Sequence, residues 1–518
     1  MVWAVLVIAS FLFSVVDSQC DTTVTGNQLR DCPMTSYDGS SGTIDLYLVP
    51  FLFNTVGGSY MTRAFAGTDK VASIPGPVIH LKQNKKLKVT LHNMLGSDQI
   101  PKGNQMNGLF EPNTTNLHTH GLHVGAEEPQ DNVELRIKPG QSYPYEYDIG
   151  AHGSGTFFYH PHAHGSVTDQ LGGGAFGVLI VDDEPTNSPY DFIKQMPEIQ
   201  VSIWNFAPLA QALVAADSDD TLFQQVSGAA QSKLMVVNGF IQPNIKQNAG
   251  QWYRWRIQYT SSSSTLTATL TGCQFLLLAL DGVWLNAPRT VTQLQFFQPS
   301  RIDVAVNCPA GGPYNFIDAS MTGTPVLTVS IDTIAESAPT VLDLAKWSNP
   351  RPAYLQDTTT LTANDLANSS FAILITGTET RLMNGRSFAG ADRSKALHYM
   401  KPNTVEEWTF NVDQHPIHIH IAPFQLQADS PDGYYKAGDW LDTYMGTGAM
   451  RVRSRIGNFN GAVVMHCHVS QHADQGLTGI MWIDGTSQAR SPRSYSVALV
   501  PSLVTIFAFI ASIVYVLT

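Results

Sequence analysis

Gly76-Pro77-Val78-Ile79-His80-Leu81-Lys82-Gln83-Asn84-Lys85-Lys86-Leu87-Lys88-Val89-Thr90-Leu91 reads as a strand, a polar turn and an alternating strand. The same order returns in Gln242-Pro243-Asn244-Ile245-Lys246-Gln247-Asn248-Ala249-Gly250-Gln251-Trp252-Tyr253-Arg254-Trp255-Arg256-Ile257. A fainter copy is Met400-Lys401-Pro402-Asn403-Thr404-Val405-Glu406-Glu407-Trp408-Thr409-Phe410-Asn411-Val412. Three copies of one strand–turn–strand unit point to three copies of one module. Between them lie further short β-rich runs, such as Val201-Ser202-Ile203-Trp204 and Leu276-Leu277-Leu278-Ala279-Leu280. Apart from the tail, no stretch sustains a helical period beyond two or three turns. The 41 Gly and 29 Pro supply turns for many short strands. The fold class is all-β, built as sandwiches or barrels.

The 518 residues carry a net charge of −12, which argues against a phosphate-binding surface and a nucleic-acid partner. With 43% apolar and 14% charged residues, disorder is excluded over most of the length. Residues 1–18 look like a secretory signal, with Val16 and Ser18 suiting cleavage before Gln19. Val497 to Leu517 has no charge, yet Arg490 and Arg493 precede it and nothing basic follows. A spacer and tail over 486–518, after small residues Gly485-Thr486-Ser487, match a lipid-anchor signal better than a retained helix. What remains divides into three units of about 155 residues. Turn-rich polar stretches at Asp183–Pro189 and Glu336–Thr340 set the modules at 19–183, 190–335 and 340–485. Cys20 with Cys32, and Cys273 with Cys308, could each form a disulfide, which leaves Cys467 over. Asn113-Thr-Thr and Asn368-Ser-Ser are candidate glycosylation sites in an exported chain.

Ten of the 16 histidines fall in four clusters: His118-Thr-His120-Gly, His160-Pro-His162, His415-Pro-Ile-His418-Ile-His420, and His466-Cys467-His468 with His472. Residues i and i+2 of a strand share a face, so each His-x-His offers two imidazoles to one metal or a bridged pair. In the last cluster Cys467 faces away from His466 and His468, so one strand can touch two metal sites. Imidazole suits copper, zinc and iron; a thiolate beside it favours copper.

These four motifs, in this order, resemble those of the multicopper oxidase family, and the resemblance runs from Val49 to Ile483. It implies three consecutive cupredoxin-like Greek-key β-sandwich or barrel domains. It implies four copper ions as cofactor, one type 1, one type 2 and two type 3. The type 1 ion would take His415, Cys467 and His472. The type 2 ion would take His118 and His418, and the type 3 pair His120, His160, His162, His420, His466 and His468. The cluster would then lie between the first and third modules, with the middle one holding them apart without binding copper. The reaction implied is one-electron oxidation of a small reducing substrate at type 1 copper. Electrons would cross from Cys467 to His466 and His468, and dioxygen would become water.

The family's axial position falls on Leu477, which cannot ligate and so favours a high-potential type 1 site. Met481 stands nearby in sequence at the wrong spacing. Oxygen reduction consumes protons, and Asp131 resembles the family's carboxylate after the first motif; Asp474 is a second candidate. His164 and His123 are expected beside ligands; His80, His92, His152 and His398 are expected to be structural. A laccase-like oxidase of phenols or aromatic amines is the preferred function, and a ferroxidase the alternative. A copper-free binding protein is disfavoured because all eleven ligand positions are intact. The loop Asp429 to Asp439, with three acids and two tyrosines, fits either donor. A monomer at the extracellular face of the membrane, held through its C-terminus, completes the expectation.

Overall fold

The computed structural model describes residues 25–29, 34–98, 106–229, 231–320, 324–332, 341–367, 370–484 and 498–499. The signal segment, the Cys20–Cys32 pair, Asn368, the boundary at 336–340 and nearly all of the tail lie outside the described residues. Among the described residues the chain is mostly strand, arranged as three consecutive cupredoxin-like sandwiches. No helix among them is long and apolar enough to cross a membrane. The longest, Pro208–Asp217, has 10 residues.

Each repeated unit carries the chain from one sheet of a sandwich to the other. In the first copy Gly76–Leu81 pairs parallel with Gly177–Val181, while Lys86–Asn93 pairs parallel with Thr43–Thr55 in the facing sheet. In the second copy Asn244–Asn248 pairs parallel with Leu327–Asp332, and Trp252–Ser261 with Glu198–Phe206. In the third, His398–Met400 pairs parallel with Thr478–Ile483, and Val405–Asn411 with Ser370–Leu374. The alternation seen in sequence is thus the inward–outward pattern of a strand with one face on the core. Leu87, Val89 and Leu91 are buried while Lys86 and Lys88 are exposed.

One strand crosses the sequence boundary at 183. Gln224–Gly228 leaves the second unit and pairs antiparallel with Gly58–Ala66 of the first. An edge strand exposes unpaired backbone groups, and this addition covers one. Cys273 and Cys308 are disulfide-bonded within the second sandwich.

Two short pairings bring the histidine motifs to sheet ends. His118–His120 pairs antiparallel with Gly155–His160, setting His118 opposite His160. Ile417–Ile419 pairs antiparallel with Gly461–Cys467, setting His418 opposite His466. The first pairing belongs to the first sandwich and the second to the third, and the two meet face to face.

Candidate metal centre

Eight histidine rings, all buried, meet between the first and third sandwiches. His118 stacks on His420 with centroids 3.9 Å apart, and His120 on His418 at 3.7 Å. His162 lies 4.6 Å from both His420 and His466. His468 closes the group, 5.2 Å from His120 and 5.5 Å from His160. Donor atoms of His162, His420 and His466 all lie within 4.8 Å of one another, and so do those of His118, His418 and His420.

Most rings are held by one nitrogen and leave the other free. His118 Nδ1 donates to Asp131 Oδ2 at 2.8 Å, His160 Nδ1 to the Pro161 carbonyl at 2.9 Å, and His466 Nδ1 to the Cys467 carbonyl at 3.0 Å. His418 Nδ1 donates to the Asp442 carbonyl at 2.9 Å, whereas His120 uses Nε2 toward Asp442 Oδ1 at 3.2 Å. The nitrogens left over are buried without a partner: Nε2 of His118, His160, His418 and His420, Nδ1 of His120, and both nitrogens of His468. Leaving a buried polar atom unpaired costs about 1–3 kcal/mol, so seven in one place call for a ligand. Burial, and after it mostly the neighbouring imidazoles, holds His118, His120, His162, His420, His466 and His468 well below the ordinary histidine range. Neutral imidazole is the form that ligates a metal. The donor set therefore fits a cluster of cations.

The second group sits on the other side of the strand that carries His466. Cys467 Sγ is 3.4 Å from His415 Nδ1 and 3.6 Å from His472 Nδ1, and those two nitrogens are 3.3 Å apart. This triangle, His2Cys, is a donor set that suits copper. Burial pushes the Cys467 thiol up to about 12, so its thiolate needs a cation beside it. Leu477 is fully buried in the same apolar cluster, and its carbonyl accepts the Cys467 N–H. Met481 pairs with Val463, four residues before Cys467 along the strand. That is about 13 Å at the rise of an extended chain, beyond the reach of a methionine side chain.

Asp131 is buried beside the eight rings, bonded to His118 and to the Thr119 N–H and 3.6 Å from His420 Nδ1. Asp474 accepts instead from Gly165 N, Thr168 N and Thr168 Oγ1, tying the last helix to the helix Val167–Gly172; burial, against these donors, pushes it up to about 6. His164 bonds the Met106 carbonyl and packs on Phe388. His123 bonds the Ile421 carbonyl, next to His420, and stacks on Tyr354. In the loop 429–439, Asp429 pairs with Lys436, Asp432 accepts from Ser430, and Asp439 pairs with Arg289 of the middle sandwich. Tyr434 and Tyr435 are buried. Asp439 is thereby a buried structural partner, whereas Asp429 and Asp432 are exposed.

Sequence reasoning missed Asp442, which bonds His120 and His418, and Arg301 and Asp281, which bond Asp442. Asp442 is held low: burial acts against its charge, but Arg301 and then His418 outweigh it. Asp281 sits high through burial and the nearby Asp442 charge. The only signal was charge inside apolar strands, as in Ser300-Arg301-Ile302-Asp303-Val304.

Three family models described as multicopper oxidase match residues 102–186, 205–335 and 350–486, together about two thirds of the chain. The multicopper oxidase mco of Staphylococcus aureus is 22% identical over 420 residues, 78% of this chain and 81% of that one. Laccase-2 of Pleurotus ostreatus is 23% identical over 484 residues, covering 83% and 85% of the two chains. The crystal structure of a laccase from Pediococcus acidilactici superposes with a TM-score of 0.67 at 17% identity, over 87% of this chain and 93% of that one. The chain belongs to the multicopper oxidase family, copper-dependent oxidoreductases that use dioxygen and carry one type 1, one type 2 and two type 3 coppers.

Proposed function

We propose that the chain is a laccase-like oxidase of phenols or aromatic amines, with His415, Cys467 and His472 holding type 1 copper. His118 and His418 hold the type 2 ion. His162, His420 and His466 hold one type 3 ion, and His120, His160 and His468 the other. When bound, copper takes electrons singly from the reducing substrate and passes four to dioxygen, giving water. The chain's own part is to join the two sites through one residue: Cys467 carries the sulfur, and its carbonyl accepts from His466 Nδ1 at 3.0 Å. Asp131 orients His118 and can hold a proton at Oδ2, between His118 and His420. Leu477 is buried beside Cys467 and would offer a bound ion no ligating atom. The first and third domains, 19–183 and 340–485, supply every ligand.

The observation that carries the phenolic reading is the buried, non-ligating Leu477 beside Cys467, which suits a high-potential site and demanding phenolic donors. A metal-ion donor needs hard oxygens near type 1 copper, and of the loop's three acids Asp439 is withdrawn by Arg289 while Asp429 and Asp432 stay exposed beside Lys436 and Ser430. A ferroxidase remains the second reading because the charges of Asp413 and Glu379 act on His415. Steady-state kinetics on 2,6-dimethoxyphenol and on Fe(II), with oxygen uptake as the common readout, separate the two. The phenol should have the higher specificity constant. A constant for Fe(II) about tenfold higher, lost in Asp413→Asn or Glu379→Gln, would overturn the choice.

The signal at 1–18 and the tail at 486–518 support export and lipid anchoring at the cell surface. Release from intact cells by a phosphoinositide-specific lipase tests this. Recovery of Tyr515 in a peptide map of the mature protein would refute it.

A further inference from the structure

We propose that the middle sandwich takes part in the trinuclear centre through Arg301, a positioning residue whose pairing with Asp442 fixes His120 and His418. Arg301 is fully buried on the strand Arg301–Asn307. Its Nη1 lies 3.2 Å from Asp442 Oδ1, and its Nη2 also contacts Asp442 Oδ2. The guanidinium is itself held by the Pro299 carbonyl at 2.9 Å and the Asp281 carbonyl at 3.1 Å. Asp281 Oδ2 accepts from the N–H groups of Asp442 and Thr443 at 3.2 and 3.3 Å. The far side of Asp442 meets the cluster: its Oδ1 accepts from His120 Nε2, and its carbonyl from His418 Nδ1.

One residue from each sandwich therefore makes a single chain of contacts, Arg301 to Asp442 to His120. The consequence is a choice of nitrogen. While Asp442 accepts at His120 Nε2, that ring turns Nδ1 toward its neighbours, whereas His118, His160 and His418 turn Nε2. A forked cation on both carboxylate oxygens fixes the plane of Asp442, and so fixes the ring. Without the guanidinium, Asp442 Oδ1 keeps Thr443 Oγ1 at 2.9 Å and the rings of His120 and His418, the latter at 3.6 Å, and no cation on its second oxygen. The tip of the middle sandwich is built for this approach: a Cβ on Gly155 would stand 2.1 Å from the Gly282 carbonyl.

The inference rests on the copper assignment above, and the test separates the two. Full-length wild type, Arg301→Gln and Arg301→Lys are loaded with copper and dialysed against a chelator. Copper per chain, the blue thiolate band and the type 2 electron paramagnetic resonance spectrum are then read. Arg301→Gln should keep the blue band, lose cluster copper about 10–100-fold more readily and show an altered type 2 spectrum. Arg301→Lys, which keeps the charge but not the fork, should recover part of the retention. Wild-type retention with a wild-type spectrum in Arg301→Gln overturns the proposal. So does parallel loss of the blue band and cluster copper that Lys does not rescue, since that marks a general structural clamp. If Arg301→Gln does not fold, Asp442→Asn, of equal volume, is read for the same outcomes. A wild type that binds no copper refutes the copper assignment instead.

Discussion

His162 Nε2 and His466 Nε2 stand 3.0 Å apart although 304 residues separate them. Burial and the neighbouring imidazoles keep both rings neutral, and His466 Nδ1 already donates to the Cys467 carbonyl. The Nε2 of His466 therefore presents a lone pair to the other ring. His162 can donate to it, so the first and third sandwiches meet here through a shared proton whose place a cation would take.

Copper removal should destabilise the whole chain. Stripping the cluster restores seven buried nitrogens without partners, each costing about 1–3 kcal/mol unless water enters. The apo protein should melt lower by more than about 5 °C, and copper should restore the difference. Equal melting temperatures with and without copper would contradict this.

Cys467→Ser should abolish the blue colour and leave most cluster copper in place. The sulfur faces His415 and His472, while the ligands on either side of it face the eight-ring group. Oxygen uptake should fall to background, because no other side chain of the triangle supplies a thiolate. Retained blue colour would place the site elsewhere.

The three-module fold was legible because its repeated unit combines the two periodicities that survive divergence, alternation along a strand and a polar turn. The ligand histidines were legible because His-x-His must share a face. Arg301 and Asp442 were not, since a buried ion pair between distant strands has no local spacing. The partner of Asp439 in the loop 429–439 was illegible for the same reason, because Arg289, at 2.8 Å, comes from another sandwich.

That pairing gives a separate expectation. Asp439→Ala should lower stability by about 1–3 kcal/mol, since it strands a partly buried guanidinium, with little change in donor specificity. Asp429→Ala and Asp432→Ala should leave kcat/KM for phenol and for Fe(II) within about twofold. A selective loss with Fe(II) in any of the three would return this loop to the donor site.

Gly121 ends the first histidine motif at φ +91°, a conformation that disfavours a side chain. A Cβ there would lie 2.6 Å from Phe157, 2.9 Å from Arg301 and 3.0 Å from Asp442. Gly121→Ala should cost about 1–3 kcal/mol and weaken copper retention at the cluster before the blue site. Differential scanning calorimetry and copper analysis check both parts.

Asp131→Asn gives the sharpest test of the type 2 assignment. Asp131 Oδ1 accepts from Thr119 N at 3.0 Å, and Oδ2 accepts from His118 Nδ1 at 2.8 Å while lying 3.6 Å from His420 Nδ1. An amide has one oxygen: kept at Oδ1 it can accept from Thr119 N and His118 Nδ1, each at 3.0 Å, but the shorter acceptor at Oδ2, 2.8 Å from His118 Nδ1, is lost. The remaining NH2 would then confront a ring N–H. His118 loses the closer acceptor that points its Nε2 into the cluster, and type 2 copper should be retained about 10–100-fold less well. The type 1 triangle is untouched, so the blue band and the KM for the electron donor should stay near wild type while kcat falls. A raised KM with full type 2 copper would instead place Asp131 at the donor site and remove it from the cluster.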